Sequence, residues 1–247
     1  MDDIILTHSL TTKGNNSNIL VVGSCRTGKT NFFVRPNLFH IKDSVTVIAR
    51  NDDNIDDTIK YRQNELKQLI FDKTIPDIEN SKRHRWTAYL IGSCHDERER
   101  NLIVKHAETI LTGYLEKNDK NNYVTVIIDD LTDFTFDKYF LLDMLEQGKS
   151  RGIRVVATLQ NINRLKQTYS EEHTEKILNQ FGIKMFFQNN DPDDAEYIEQ
   201  RYIYPITCAD ILNLGRDKCV ITGLKDKPVL YKDKIQHWFS YGKIGEV

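Results

Sequence analysis

The chain has little with which to cross-link itself. Its 247 residues hold four cysteines, Cys25, Cys94, Cys208 and Cys219. None of them forms a C-x-x-C pair, which argues against a zinc site. Thiols this few and scattered read as reduced, as in a cytoplasmic protein. No apolar run approaches the ~18 residues of a membrane span, so no transmembrane segment of its own is expected. Met1 is followed by Asp2-Asp3 rather than the basic start of a signal peptide. An excess of one charge is lacking too: 34 Lys and Arg stand against 36 Asp and Glu, a net charge of −2. A protein that coats nucleic acid by bulk charge is basic. Any DNA contact must therefore use local patches, with Lys82-Arg83-His84-Arg85 the candidate. Internal repeats and low-complexity segments are absent.

What is there is the composition of a globular protein, 39% hydrophobic and 28% charged. The length suits a single domain over 1–247, with a small, mostly helical insert near 52–122. One stretch organises the chain. Ile19-Leu20-Val21-Val22 is an apolar, β-branched run that reads as a buried strand. It is followed by Gly23-Ser24-Cys25-Arg26-Thr27-Gly28-Lys29-Thr30, a full match to the phosphate-binding pattern G-x-x-x-x-G-K-[ST]. The two glycines allow backbone conformations that turn successive N–H groups toward one anion. A helix starting near Lys29 adds its positive dipole end. Lys29 would reach the terminal phosphates of a nucleotide, and the Thr30 hydroxyl would ligate Mg2+. The plainer alternative, a Gly-rich turn with a surface lysine, does not account for the strand before and the helix after.

The remaining chain alternates strand and helix. Residues 1–18 read as a polar lead-in, and Arg35-Pro36-Asn37 as a break or kink. Strands are expected at 45–49, 124–128, 153–159, 183–188, 218–223 and 228–232. Helices are expected from Ile55 to Ile70, at 97–117, 137–147 and 171–181, and from Pro192, with 71–86 irregular. This alternation implies a mostly parallel sheet with helices on both faces, an α/β fold.

Phosphate binding alone does not make a hydrolase. Asp129 ends the apolar strand 124–128, the Walker B arrangement in which a carboxylate holds Mg2+. Asp130 is the candidate base that orients the attacking water. An acidic turn after a strand is the simpler alternative. Gln160 also ends a strand; it is either a γ-phosphate sensor or a solvated loop amide. Ligands of open α/β sheets sit at the carboxyl ends of strands, so Lys29, Asp129 and Gln160 would share one rim. Gly148-Lys149-Ser150-Arg151-Gly152-Ile153-Arg154 is either a solvated basic turn or a source of an arginine finger for a neighbouring subunit.

These residues resemble a known family. The segment 18–38, the run 145–160 (LEQGKSRGIRVVATLQ) and the run 177–198 (ILNQFGIKMFFQNNDPDDAEYI) are similar to the TraG-type coupling proteins of conjugative type IV secretion. Those belong to the FtsK–HerA class of DNA-pumping ATPases. The resemblance implies a RecA-like P-loop NTPase core with the sensor strand between the P-loop and Walker B strands. It implies ATP and Mg2+ as cofactors, a homo-hexameric ring, and DNA, single- or double-stranded, or a relaxase–DNA complex as cargo. Membrane secretion channel proteins would be partners of a cytoplasmic motor peripheral to a secretion complex. The chain departs from the pattern at four places. Asp130 stands where glutamate is usual. Lys149 takes the finger position, with Arg151 close by. Arg50-Asn51-Asp52-Asp53 replaces Asp-Pro-Lys-Gly-Glu, and the membrane helices and most of the helical insert are missing.

The sequence thus reads as an ATP-hydrolysing DNA-translocation motor or coupling ATPase. A viral or plasmid genome-packaging ATPase is the nearest variant. The rival from another class is a nucleotide-binding assembly module with weak or no hydrolysis, favoured by Asp130 and Lys149. A small-molecule kinase is a weaker option, because nothing resembles an acceptor-substrate lid.

Overall fold

A computed structural model of the chain describes residues 1–50, 55–76, 84–92, 96–117 and 122–231. A short hairpin, β1 (Ile5–Thr7) and β2 (Leu10–Thr11), precedes β3 (Ile19–Val22). A π-helical turn (Thr30–Val34) then runs into α1 (Arg35–His40), followed by β4 (Ser44–Ala49) and α2 (Asp56–Asn64). Next come β5 (Leu69–Asp72), β6 (Trp86–Ile91), α3 (Glu97–Lys117) and β7 (Val124–Ile128). α4 (Lys138–Gln147) leads through a tight turn into β8 (Ile153–Leu159), α5 (Ile162–Asn179) and β9 (Ile183–Phe186). The described chain closes with α6 (Pro192–Ile198), α7 (Cys208–Leu212), β10 (Cys219–Thr222) and β11 (Val229–Tyr231).

Among the described residues nine strands form one sheet in the order β11-β10-β9-β3-β8-β7-β4-β6-β5. Every pair from β9 to β5 is parallel, and only β10 and β11 join antiparallel. The parallel strands read as continuous apolar runs because both faces are covered. Leu20 and Val22 of β3 pack into a core shared with α3, α4 and α5, through Ala107, Met144 and Ile177. Ile19 and Val21 point the other way, against Phe33, Val34 and Leu38 of the helix that follows the P-loop. The sheet is thus an α/β layer with helices on both faces. β8 lies between β3 and β7, the order implied by the family resemblance.

Several local expectations are corrected. The helix expected to reach Ile70 ends at Asn64, and Leu69–Asp72 is a strand. Trp86–Ile91 is a further strand, so the segment near 52–122 extends the sheet by two strands beside β4. β5 is the edge strand, with left-handed Lys67 (φ 53°) and Lys73 (φ 52°) on either side. Residues 1–18 are more than a polar lead-in, since Ile4 and Leu6 are buried in the second core. Pro36 does not break the helix. The Arg35 N–H donates to the Thr30 carbonyl across a π turn, and Pro36, with no N–H to give, sits in the first turn of α1. The helix read at 171–181 is the second half of α5, whose backbone breaks at Ser170 (φ 65°, ψ 163°).

Candidate functional site

Parallel register brings the site together. Val22 aligns with Leu159, Ile128 with Ala157, and Ile48 with Ile128. The residues after β3, β8, β7 and β4 therefore meet at one edge of the sheet. There they line a cleft of about 400 Å³ that includes Cys25, Lys29, Thr30, Asp129, Asp130 and Gln160.

The loop Gly23–Thr30 is held tightly. The Gly23 N–H donates to Leu159 O at 3.0 Å and the Ser24 N–H to Gln188 O at 3.0 Å. A Cβ on Gly23 would lie 2.8 Å from the Phe187 Cβ. Gly28 adopts φ +89°, and the Phe32 ring occupies the space where its Cβ would stand. Arg26 is also left-handed (φ 64°), a conformation that costs a non-glycine residue roughly 1–2 kcal/mol. The Thr27 hydroxyl bonds the Ser24 carbonyl at 2.8 Å and helps hold the turn.

Lys29 is largely buried, and its Nζ donates to Gly23 O at 2.6 Å and Ser24 O at 3.1 Å. Burial pulls its pKa down, against the attraction of Asp130 and Asp129. The Thr30 hydroxyl donates to Asp129 Oδ2 at 2.7 Å, so the two expected Mg2+ ligands already touch. Asp129 Oδ1 accepts from Thr158 Oγ1 at 2.8 Å, and that same Thr158 oxygen accepts the Asp130 N–H at 2.8 Å. Burial raises the pKa of Asp129, opposed by the Thr30 and Thr158 hydrogen bonds.

Asp130 has a left-handed backbone (φ 68°). Aspartate tolerates that region better than glutamate, which gives a physical reason for the shorter side chain here. Its Oδ1 accepts from the Thr132 N–H and hydroxyl at 3.3 and 2.7 Å. Its Oδ2 is buried without a hydrogen-bond partner. Burial raises its pKa, and the charge of Asp133 adds to the rise. A buried unpaired carboxylate oxygen beside Lys29 suits a group that awaits a water molecule. The tight loop, the Lys29 ammonium and the Thr30–Asp129 pair together fit a nucleotide with a divalent cation.

Lys149 and Arg151 are not part of this cleft. They sit in the turn before β8, at the opposite end of a strand that spans roughly 20 Å. Arg151 borders a separate hollow beside Phe140, Asp143 and Gln147. Within one chain these two cations serve no nucleotide at the P-loop. Of the basic cluster, Lys82 and Arg83 lie outside the described residues, as do Asp52, Asp53 and Cys94, while Arg85 pairs with Asp43 at 3.1 Å.

Several site residues were not foreseen. Thr158, fully buried, fixes both aspartates, and only the register of β8 against β7 reveals it. Arg50 enters the cleft from β4. A second network joins the P-loop to the start of α5. The Ser24 hydroxyl donates to Asn189 Oδ1 at 3.1 Å and accepts the Asn190 N–H at 2.7 Å. Asn189 Nδ2 donates to Asp194 Oδ2 at 3.4 Å, and Asp194 accepts the N–H groups of Ile162 and Asn163 at 2.7 and 3.2 Å. Gln160 is thereby flanked by residues tied to the phosphate loop.

Comparison with known proteins agrees with this architecture. The model of the type IV secretion-system coupling protein DNA-binding domain matches residues 81–202. No curated protein sequence matches the chain. Among solved structures, the bacterial conjugative coupling protein TrwB lacking its N-terminal segment aligns with a TM-score of 0.77 at 11% identity, covering 96% of this chain and 90% of that one. The TrwB complex with ADP and Mg2+ aligns at 0.69 with 13% identity, covering 92% and 87%. VirB4 of Thermoanaerobacter pseudethanolicus aligns at 0.64 with 9% identity, covering 91% of each. The chain has the RecA-like P-loop fold of these proteins, and it resembles TraG/TrwB-type coupling proteins in fold and in the matched segment.

Proposed function

We propose that this chain is a P-loop ATPase that binds Mg-ATP and acts as the motor core of a coupling protein. The observation that carries this is the cleft itself, where the Thr30–Asp129 contact, the Lys29 ammonium and the unpartnered Asp130 oxygen converge. TrwB, with the same fold, has been solved with ADP and Mg2+. When bound, Mg2+ would neutralise phosphate charge and polarise the reacting phosphoryl group. The chain's own residues do the rest. Lys29 exchanges the Gly23 and Ser24 carbonyls for phosphate oxygens. The loop N–H groups and the adjoining helix start cradle the phosphates. Asp130 takes the water proton at Oδ2, aided by its raised pKa. Gln160 orients the water from the end of β8.

DNA, single- or double-stranded, or a relaxase–DNA complex, is the proposed cargo, consistent with the matched DNA-binding domain model. A homo-hexamer docked on membrane channel proteins is the proposed assembly. In that assembly Lys149 and Arg151, remote from their own cleft, would act on a neighbour's nucleotide. Among the described residues no helix is long and apolar enough to cross a membrane; a cytoplasmic setting beside the channel is part of the proposal.

Steady-state phosphate release, with and without DNA, tests the reading. Lys29→Ala is expected to lose both tight ATP binding and turnover while keeping its melting temperature. Unchanged ATP affinity would refute the site. The assembly-module reading is favoured by the tie of Asp130 Oδ1 to Thr132, which leaves one carboxylate oxygen for catalysis. It predicts negligible phosphate release with ATP still promoting oligomers.

A further inference from the structure

The phosphate loop carries a second cation besides Lys29. Arg26 stands in the middle of Gly23–Thr30, is exposed, and lines the cleft with Lys29, Thr30, Asp129, Asp130 and Gln160. Its backbone is left-handed (φ 64°), a region that glycine fills without strain and arginine does not. The loop is fixed on both sides of it. Before it, the Ser24 N–H donates to Gln188 O at 3.0 Å; after it, the Thr27 hydroxyl donates to Ser24 O at 2.8 Å. The turn itself does not call for arginine, and strain held at such a site points to the side chain. Among the described residues its guanidinium has no hydrogen bond, ion pair or ring contact. Asp129, Asp130 and Asp133 line the same cleft, yet none of them pairs with it. Asp133 pairs instead with Arg50 and Arg164, and Asp129 is held by Thr30 and Thr158. The charge of Arg26 is thus uncommitted, and a guanidinium offers a planar fork that matches two phosphate oxygens.

We propose that Arg26 is a catalytic residue whose guanidinium contacts the γ-phosphate of the nucleotide held by its own loop. The inference rests on the ATPase reading above. It adds a side-chain role at a position where the phosphate-binding pattern accepts any residue. The terminal phosphate is the target because Asp130 and Gln160, which would place the attacking water, line the same cleft as Arg26. In the step it assists, a water oxygen bonds to the γ-phosphorus and the water proton passes to Asp130. The bond from the γ-phosphorus to the bridging oxygen breaks, and its electron pair stays on the departing ADP. Inorganic phosphate is the other product. Arg26 gives up no proton; it offsets the charge that develops on the equatorial and bridging oxygens.

The test compares wild type with Arg26→Gly, Arg26→Gln and Arg26→Lys, using Mg-ATP turnover and a fluorescent ADP analogue. Arg26→Gly removes the charge while suiting the left-handed backbone, so it is expected to keep its melting temperature. A loss of turnover in it cannot then come from a distorted loop. Arg26→Gln keeps most of the side chain and removes only the charge. Both neutral variants are expected to lose about 10²-fold or more in kcat, just below the span of known arginine fingers. ADP affinity should change by less than about threefold, and Arg26→Lys should recover little because it lacks the fork. Mixing Arg26→Gly with Lys29→Ala subunits should restore nothing, because each active cleft needs both residues in one loop. A kcat within about threefold of wild type in the neutral variants overturns the proposal, and so does an equal loss of ADP affinity. Recovery in the mixture overturns its placement in its own subunit. If the wild type itself releases no phosphate, the ATPase reading fails separately. Arg26 is then judged on binding: Arg26→Gly must lose the preference for ATP over ADP, and an unaltered preference overturns the proposal as well.

Discussion

Asp130 shows how one side chain carries opposing demands. Its carboxyl is buried, with one oxygen bound by Thr132 and the other without a partner. Burial holds its pKa above the ordinary 3.8. A carboxyl raised in the folded state contributes stability below its unfolded value, and that stability is lost as pH climbs through the raised one. At neutral pH the charged form therefore weakens the fold. Asp130→Asn keeps the shape, and asparagine tolerates a left-handed backbone. The variant is expected to be more stable at pH 7 by on the order of 1 kcal/mol, in the manner of other relieved active-site strain. The gain should vanish as the pH falls toward 3.8. ATP hydrolysis should be lost at every pH. Thermal melts across that range, beside turnover, check both parts.

At the scale of elements, α5 depends on a residue from another helix. Asp194, in the first turn of α6, accepts the Ile162 and Asn163 N–H groups at the start of α5 and is itself buried. Asn161 adds its own cap to the Arg164 N–H at 2.9 Å. Asp194→Ala would leave donors without partners two residues after Gln160. A loss of about 2 kcal/mol in urea unfolding is expected. A milder Asp194→Asn loss should accompany reduced kcat with little change in ATP affinity, since the P-loop anchors at Gly23 remain.

The same scale shows what the sequence made legible. The strands β3, β4, β7 and β8 stand out as apolar runs because helices cover both of their faces. β5 does not, because it lies at the edge, where Leu69 is half exposed and the short apolar run is closed in by Lys67 on one side and Asp72 and Lys73 on the other. The first half of α5 is polar and ends at the left-handed Ser170, which hid its true start. Lys29 and Asp129 were legible because their chemistry is local, a loop in one case and a strand end in the other. Thr158 and Arg50 gain meaning only from strand register, which no local window contains.

For the whole molecule, charge bears on the proposed assembly. A net charge of −2 gives a single subunit little general pull on phosphates. A ring would direct several copies of one patch at one strand. DNA binding is expected to be weak in dilute, monomeric protein and to strengthen steeply once the mass in solution reaches that of a ring. It should fall sharply with added salt. Tight binding by a proven monomer would refute this. In the proposed ring, Lys149 and Arg151, roughly 20 Å along β8 from their own cleft, would act on a neighbour's nucleotide.

The outer strand β5 has a further consequence, for how copies can meet. Its four residues are bounded by Lys67 and Lys73, whose left-handed backbones turn the chain away at each end. An open margin of unpaired main-chain groups is a template for another chain to extend the sheet, and a short margin flanked by lysines is a poor one. A contact between copies on this side would be better made by side chains, which can part and rejoin, than by a ladder that would fuse them. A protein whose proposed work requires neighbours to shift against one another gains from that arrangement.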